Sequence, residues 1–290
     1  MKTFSPTQSA EGGKRENFSA TARLRTEKVD ETFDTLFEGK LKFAQAREGY
    51  RSSLDAILLA HFVTARGQDK IAELGSGNGV IALMLAHLHE SVSVVGIELQ
   101  PGMAERARRN VQLNGLDQQV QIRNGDVREI KRVMSSRSFD IVVCNPPYRR
   151  PASGRISPND EKRLARHQCE GDLRDFVLAG AYLLSTKGRM FLIYTVEKSV
   201  ELFEVLCRGG IEPKRVRTVH SFRDAEASLI LVEGVKGGRR GVQIQAPLVV
   251  YDSGKRYTAE VREMLAGSRI ASVQPFNRAI VQRPSQKFRP

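Results

Sequence analysis

Cysteines are few in this 290-residue chain, and no long hydrophobic run occurs in it. The three cysteines, Cys144, Cys169 and Cys207, are far apart and have no paired spacing, which predicts a reducing compartment with neither a disulfide framework nor a metal site. No apolar stretch approaches the length of a membrane span, and the first residues contain no apolar signal core. We therefore expect a soluble cytoplasmic protein that binds no metal.

Acidic residues are also in the minority. Lys and Arg number 46 against 33 Asp and Glu, which gives a net charge of +13 and a pI of about 9.9. Such a surplus favours polyanionic partners, and no long basic amphipathic helix points to a membrane. Nucleic acid is therefore the favoured partner, although a positive surface can also serve solubility alone.

The composition predicts one folded domain between two tails. Residues 1–30 are rich in Ser, Thr, Lys, Arg and Glu without a sustained period, which predicts a flexible basic N-terminal tail. Residues 31–266 form the predicted domain, and residues 267–290 carry several cations and read as a basic C-terminal tail. With 40% hydrophobic residues, the chain can build one sizeable core.

Within this domain, short apolar strands alternate with amphipathic helices, which predicts an α/β fold with a mainly parallel sheet. The predicted strands are Leu41–Gln45, Lys70–Leu74, Ser91–Glu98, Val120–Asp126, Phe139–Cys144 and Met190–Tyr194. The predicted helices are Ala56–Val63, Ile81–His89, Met103–Asn114, Asp172–Leu184 and Ser199–Cys207, and a last short helix lies within Tyr251–Leu265. Segments Arg215–His220 and Ala227–Glu233 predict an antiparallel hairpin at the sheet edge, followed by a mobile basic turn at residues 236–240.

A glycine-rich turn follows the Lys70–Leu74 strand, with the sequence Glu73-Leu74-Gly75-Ser76-Gly77-Asn78-Gly79. The dinucleotide fingerprint is not met, because Val80 stands where it requires Gly or Ala. An acidic residue two positions before the first glycine instead suits a ligand with a positively charged amino group. Glu98 and Asp126 end the next two predicted strands, where they are suited to ribose hydroxyls and to an adenine amino group.

The tetrapeptide Asn145-Pro146-Pro147-Tyr148 ends the Phe139–Cys144 strand, because two consecutive prolines cannot continue a strand. The Asn145 side-chain oxygen and the Pro146 carbonyl could accept the two hydrogens of a planar amine, while Tyr148 stacks on its ring. The alternative is a tight turn with a half-buried tyrosine. Upstream, Ser52 resembles a helix N-cap, which places Asp55 in the first helical turn.

Together, these motifs resemble the seven-stranded S-adenosylmethionine-dependent methyltransferases that act on exocyclic amines. Segments Asp34–Leu41, Gly49–Arg51 and Leu54–Ala60, with Tyr251-Asp252 and Tyr257-Thr258, more narrowly resemble the tRNA1(Val) adenine-N6 methyltransferase family. Ser52 departs from that family, which usually has Phe after the Tyr-Arg pair. The resemblance implies a three-layer Rossmann-like class I fold, with a mainly parallel seven-stranded sheet and one antiparallel strand near the edge.

The resemblance also implies site residues. The expected catalytic residues are Asn145, Pro146, Pro147 and Tyr148. The expected S-adenosylmethionine-binding residues are Asp55, Glu73, Gly75, Ser76, Gly77, Asn78, Gly79, Glu98, Leu99, Asp126, Val127 and Asn145. Cations near the reactive crevice and on the basic turn are the expected nucleic-acid contacts, namely Arg149, Arg150, Arg155, Arg163, Arg166, Lys236 and Arg239.

We therefore predict an enzyme that methylates the exocyclic amino group of an adenine in RNA, most simply in the anticodon loop of a valine tRNA, and we expect a monomer. An unstacked adenine in a loop is the target that requires the least free energy to enter the crevice, because it need not leave a duplex. The alternatives are glutamine methylation on release factors, methylation of rRNA or DNA, and, outside enzymes, a silent RNA-binding scaffold.

Overall fold

A computed structural model of the chain describes residues 31–47, 54–147, 171–254 and 256–268. The strands in these ranges are β1 (Glu31–Leu36), β2 (Leu41–Ala46), β3 (Lys70–Leu74), β4 (Ser93–Glu98), β5 (Val120–Asn124), β6 (Phe139–Cys144), β7 (Leu184–Thr195), β8 (Ile211–His220), β9 (Ala227–Lys236), β10 (Gln243–Ile244) and β11 (Leu248–Val249).

The helices in the same ranges are α1 (Leu54–Phe62), α2 (Val80–Leu88), α3 (Pro101–Leu113), α4 (Ile130–Val133), α5 (Leu173–Leu183), α6 (Ser199–Arg208) and α7 (Ala259–Leu265). Two single 3-10 turns cover Val127–Glu129 and Val196–Lys198. None of the described helices is long and apolar enough to cross a membrane.

The main sheet has the strand order β10-β8-β9-β7-β6-β3-β4-β5, and β11 also pairs with β8. The seven expected strands are, in sheet order, β8, β9, β7, β6, β3, β4 and β5. Strand β9 is the antiparallel one, since it pairs antiparallel with both β7 and β8. The α/β fold with a mainly parallel sheet is therefore confirmed. The two-residue strands β10 and β11 extend the sheet beyond β8 and are too short to have a periodicity that sequence could reveal.

The two ends of the parallel strands define two edges of this sheet. We call the edge at which β3, β4, β6, β7 and β8 end the carboxyl edge, and the edge at which they begin the amino edge. Because β9 runs in the opposite direction, it begins at the carboxyl edge and its last residue, Lys236, lies at the amino edge, paired with Ile211.

Both faces of the sheet are buried, which makes three layers. On β6, Ile141 and Val143 belong to the hydrophobic cluster formed with α1 and α2, whereas Val142 and Cys144 belong to the cluster formed with α5 and α6. A strand covered on both faces must be apolar at successive positions, which explains the apolar run Ile141–Cys144 in β6.

The strands β1 and β2 form a separate antiparallel hairpin. Only β2 was predicted, because β1 has four polar residues and its one large aromatic, Phe33, is exposed. The hairpin turn carries Phe37, whose ring packs edge-on against the His61 ring of α1 at a centroid distance of 5.7 Å. The hairpin thereby covers the ends of the helices on one face of the sheet.

Candidate active site

Three chain segments meet at the carboxyl edge where the strand order changes direction. Leu74, the last residue of β3, pairs with Ile97 of β4 on one side and with Cys144 of β6 on the other. Ligands of open α/β sheets bind at such a switch point. A pocket lies there, lined by Ala56, Glu73, Gly75, Ser76, Gly77, Asn78, Val80, Ile81 and Asn145.

The turn between β3 and α2 needs glycine at defined positions. Gly75 and Gly79 have φ angles of 73° and 80°, in the left-handed region that side chains rarely adopt. A Cβ atom on Gly79 would lie 3.1 Å from the Ala107 Cβ, and one on Gly75 would lie 3.1 Å from the Phe176 ring. The turn is thereby held close to α3 and α5, with the N-terminus of α2 facing the pocket.

Glu73 is a carboxyl group enclosed in the protein interior. The residue is 1% exposed, and its Oε2 atom has no hydrogen-bond partner. The same holds for the buried Ser76 Oγ atom, and both residues line the pocket. Burial raises the pKa of Glu73 well above its usual value, and the nearby Glu98 raises it further, whereas the backbone N–H of Ala82 opposes the shift. A cationic ligand in this pocket would offset the cost of ionising Glu73.

Glu98, at the end of β4, is fixed by two backbone donors. Its Oε2 atom accepts from Gly77 N at 2.8 Å, and its Oε1 atom accepts from Gln100 N at 2.8 Å. The carboxylate therefore joins the glycine turn to the start of α3 and faces the same edge of the sheet. Each carboxylate oxygen can accept more than one hydrogen bond, so a diol could still bind there.

Asp126 lies just beyond β5 and not on it, because the strand ends at Asn124. It caps the 3-10 turn by accepting from Arg128 N at 2.9 Å, and its Oδ2 atom pairs with the Arg128 guanidinium at 2.5 Å. The hydrogen bonds from Arg128 lower the pKa of Asp126 and keep it ionised. Of the neighbouring expected residues, Val127 is buried and Leu99 is half-buried.

Asn124 and Asn110 are two supporting residues that sequence reasoning missed. The Asn124 side chain donates to Glu98 O at 2.8 Å and to Leu99 O at 2.9 Å, which fixes the loop that follows β4. The Asn110 side chain, on α3, donates to Asn78 O at 2.9 Å and so holds the glycine turn from behind. Neither asparagine lies in a motif, and no local signal could have indicated these contacts.

Asn145 follows β6 directly and is half-buried in the pocket that Glu73 and the glycines also line. Pro146 is buried and Pro147 is half-buried, and both lie at the carboxyl edge. Tyr148 lies outside the described residues. The structure thus brings the first residue of the tetrapeptide and the glycine turn into one pocket, although 66 to 70 positions separate Asn145 from Gly75 and Gly79 in sequence.

Asp55 is the second residue of α1 and lies in its first turn, next to Ala56, which lines the pocket. This agrees with the predicted helix position, while the predicted cap, Ser52, lies outside the described residues.

The expected nucleic-acid contacts are not all found at this pocket. Arg149, Arg150, Arg155, Arg163 and Arg166 lie outside the described residues. Lys236 and Arg239 lie at the amino edge, on the far side of the sheet from Asn145, because β9 runs antiparallel. Contact of Lys236 and Arg239 with nucleic acid therefore stays a prediction, at a position away from Asn145.

Comparison with known proteins gives consistent results. A family model described as a methyltransferase small domain matches residues 52–160. A tRNA1(Val) (adenine(37)-N6)-methyltransferase from Tolumonas auensis is 27% identical over 65% of this chain and 77% of that relative. A protein with the same name from Trichodesmium erythraeum is 30% identical over 59% of this chain and 73% of its own length.

A solved structure is similar as well. The crystal structure of a protein from Agrobacterium tumefaciens, described as a predicted O-methyltransferase, has a TM-score of 0.61 and 24% identity, covering 75% of this chain and 97% of that one. At this identity the likeness shows the fold alone.

Proposed function

The chain belongs to the tRNA1(Val) (adenine(37)-N6)-methyltransferase family and is an S-adenosylmethionine-dependent methyltransferase, and we propose that it methylates the N6 amino group of an adenine in the anticodon loop of a valine tRNA. The observation that carries this proposal is the pocket shared by Asn145, Glu73 and the glycine turn. One pocket then presents an acceptor for a planar amine beside a site suited to a charged cofactor.

The residues of the pocket fit the cofactor. The Glu73 Oε2 and Ser76 Oγ atoms, which have no hydrogen-bond partner, can accept from an ammonium group and from other donors. A neutral ligand would not stabilise the ionised form of the buried Glu73. The glycines of the turn permit close backbone approach, and Glu98 is oriented to accept from ribose hydroxyls. When bound, S-adenosylmethionine supplies an electrophilic methyl group.

Asp126, Leu99 and Val127 complete the proposed cofactor site on the side of β5. Arg128 already pairs with the Asp126 carboxylate, so Asp126 would accept an adenine amino hydrogen with a remaining lone pair or after Arg128 moves. Asp55 would add a carboxylate at the start of α1, beside Ala56 of the pocket wall.

Asn145 and Pro146 would orient the amine that is methylated. The lone pair of an aromatic amine is delocalised into its ring, so the amine is a poor nucleophile. Acceptance of its two hydrogens by the Asn145 Oδ1 atom and the Pro146 carbonyl localises that lone pair and aims it into the pocket. Tyr148 would stack on the adenine, and the surplus proton leaves from the amine after methyl transfer.

A labelling experiment tests the substrate class. The protein is incubated with tritium-labelled S-adenosylmethionine and, separately, with total tRNA, rRNA, DNA and a release factor, and the products are digested to nucleosides or amino acids. We expect label in N6-methyladenosine from tRNA. Label in glutamine, or label from rRNA or DNA alone, would overturn the proposed substrate.

A substitution tests the role of Asn145. Asn145→Ala should lower turnover by about 100-fold or more with little change in cofactor affinity, because its interactions are strongest in the transition state. Asn114→Ala is the matched control, since Asn114 contacts only the hairpin and its own helix in the described residues and should change turnover less than a few-fold. Equal turnover for both variants would reduce Asn145 to a turn residue.

A further inference from the structure

The antiparallel direction of β9 places the basic turn that follows it, residues 236–240, at the edge of the sheet opposite Asn145. Val235 of β9 pairs with Arg189 of β7, which pairs with Ile141 near the start of β6, so the basic turn after β9 lies at the amino edge. Asn145 lies past the other end of β6, and a strand of this length spans about 20 Å at roughly 3.3 Å per residue. The basic turn therefore cannot contact a target adenine held at Asn145.

Lysine ammonium groups hold this turn in place. Lys236 Nζ donates to Leu184 O at 2.7 Å, Lys214 Nζ donates to Gly241 O at 3.0 Å, and Lys187 Nζ donates to Gly237 O. The backbone adds a hydrogen bond from Gly237 N to Gly210 O at 2.9 Å. The turn is thus hydrogen-bonded at both ends, and it displays Arg239 and Arg240, both exposed.

The positive surface continues along the amino edge from this turn. Arg137 lies close enough to Lys236 to lower the pKa of that lysine, after the larger effect of burial. The Arg137 backbone in turn donates to Tyr182 O at 3.0 Å. Beside it lies an open cleft of about 620 Å³, lined by Arg123, Lys131, Arg132, Val133, Met134, Ser135, Ser136, Ser138 and Tyr182.

We define the amino-edge basic surface as the exposed cations Arg137, Lys187, Arg239 and Arg240. Two carboxylates lie beside it, Glu212, which is next to Gly238, and Asp140, which is next to Gly188. Four cations against two carboxylates leave a local charge of about +2. Like charges held on one surface repel each other, and a polyanion relieves that repulsion.

The cleft adds hydrogen-bond donors suited to phosphate. Guanidinium, ammonium and hydroxyl groups are the donors that contact nucleic-acid phosphates, and the cleft presents all three, with Ser135 and Ser136 exposed at its rim. Tyr182 adds a half-exposed ring. Donors of this kind contact the backbone and carry no base specificity, which suits a region of the substrate far from the methylated base.

We propose that the amino-edge basic surface binds backbone phosphates of the RNA substrate at a position remote from the target adenine. The inference rests on the proposed function, because it requires an RNA whose loop reaches Asn145. It also requires that a base-paired stem joined to that loop extend past the rim of the sheet, so that its phosphates reach the opposite edge. An isolated loop with a short stem would then end before this surface.

The test compares two RNAs and two variants. Arg239→Ala/Arg240→Ala removes two cations from the surface, and Lys40→Ala/Lys42→Ala removes two exposed cations from the β1–β2 hairpin as the matched control. Affinity is measured against salt for full-length tRNA and for a short stem–loop that contains the same loop. Each phosphate contact contributes about 0.7–0.9 to the slope of log affinity against log salt.

We expect Arg239→Ala/Arg240→Ala to lower this slope by about 1.4–1.8 for full-length tRNA and to leave it unchanged for the stem–loop. The control variant should keep the wild-type slope for both RNAs. Cofactor affinity and methylation of the stem–loop should equal those of the wild type, and unchanged thermal unfolding shows that the fold is intact.

Several outcomes would overturn the inference. A wild-type slope for the double variant on full-length tRNA removes the surface from the interface, and an equal loss on the stem–loop shows that it is not remote. Binding of wild-type protein to vesicles containing phosphatidylserine, lost in the double variant while the tRNA slope is kept, assigns the surface to a membrane. Failure of wild-type protein to methylate any RNA refutes the proposed function instead. The salt slopes of RNA binding would still test, independently, whether the amino-edge basic surface binds RNA.

Discussion

The residue that most constrains the chemistry is Glu73, a carboxyl group that the fold keeps out of water. Burial is costly for a carboxylate, so the folded protein favours the protonated form of Glu73. Glu98 lies in the same site, but two backbone N–H groups stabilise its charge. The two neighbouring acids thus lie in different surroundings, because Glu98 accepts from two backbone N–H groups and the Glu73 Oε2 atom has no hydrogen-bond partner.

Cofactor binding should therefore release a proton from Glu73. An ammonium group stabilises the carboxylate, so the pKa of Glu73 falls on binding and affinity rises as the pH approaches that raised pKa from below. Calorimetry in two buffers of different ionisation enthalpy would measure the release. We expect Glu73→Gln to abolish it and to weaken binding about tenfold or more, since hydrogen bonds to charged groups contribute roughly 1.5–3 kcal/mol.

The exposed Glu105 supplies the control for this measurement, because Glu105→Gln changes the same functional group outside the pocket. Equal proton release by wild type and Glu73→Gln would show that another group titrates on binding.

At the scale of elements, α3 joins the hairpin to the glycine turn. Asn110 accepts from Ala44 N at 2.7 Å and donates to Ala44 O at 3.0 Å, and one helical turn later Asn114 makes the same pair of bonds with Lys42. Two side-chain amides spaced four residues apart thereby make the hydrogen bonds to the β2 backbone that a neighbouring strand would otherwise make. Asn110 alone also donates to Asn78 O in the glycine turn.

This difference predicts separate effects of the two asparagines. Asn110→Ala leaves buried backbone groups unpaired and should lower the free energy of unfolding by about 2–4 kcal/mol, at roughly 1–3 kcal/mol for each unsatisfied group. It should also weaken cofactor binding several-fold, because the glycine turn loses a support. Asn114→Ala, whose bonds are more exposed, should cost about 1 kcal/mol and leave cofactor affinity unchanged.

Chemical denaturation and calorimetry on both variants measure these two effects. Equal cofactor affinity for Asn110→Ala and wild type would mean that the hairpin and the glycine turn are not coupled through α3.

A second pair of elements, α1 and α7, is joined by His61. Its Nε2 atom lies 2.9 Å from Met264 O, and since a carbonyl only accepts, the ring nitrogen must donate. Burial lowers the pKa of His61 to about 4, with a smaller lowering by His89, and the Met264 carbonyl acts in the opposite direction. His61 is therefore neutral in the folded protein at neutral pH.

Stability should consequently fall as the pH drops from about 6.5 to about 4. In this window the unfolded chain binds a proton at His61 that the folded chain excludes, so the free energy of unfolding decreases with falling pH. The full effect is at most about 3.5 kcal/mol, at roughly 1.4 kcal/mol per pKa unit. Denaturant unfolding at pH 7 and pH 5 should show a smaller difference for His61→Gln, which keeps a donor without titrating. An undiminished difference would exclude His61 as its source.

For the whole molecule, the cations relevant to RNA fall into two groups along the chain, one of which is the amino-edge basic surface. The sequence places another cationic stretch, residues 149–166, directly after the tetrapeptide that faces the crevice. We expect Arg149→Ala/Arg150→Ala/Arg155→Ala to lower the salt slope of RNA binding by about two to three units, for a short stem–loop as well as for full-length tRNA. Affinity for S-adenosylmethionine should not change.

The dependence on RNA length thus distinguishes the two cationic regions. If the triple variant binds a stem–loop with the wild-type salt slope, residues 149–155 do not contact the loop of the RNA.

Much of this protein could be predicted from local sequence. The apolar run of β6 and the glycines after β3 follow from burial on two faces and from positive φ angles, both of which act within a few residues. The positions of Glu98 and Asn145 at strand ends then follow from the parallel order of the sheet. For these features, the physical cause and its sequence signal lie in the same short segment.

The remaining features depend on contacts between distant segments. Lys236 and Arg239 are separated from the crevice only because β9 runs antiparallel, and Asp126 is paired with Arg128 because β5 ends two residues before it. Arg215 would be expected at the surface, yet it is fully buried, paired with Glu233 at 2.6 Å and stacked over Phe62. Tertiary structure decided these outcomes because the direction of a strand and the partner of a buried charge are set by elements far away in sequence.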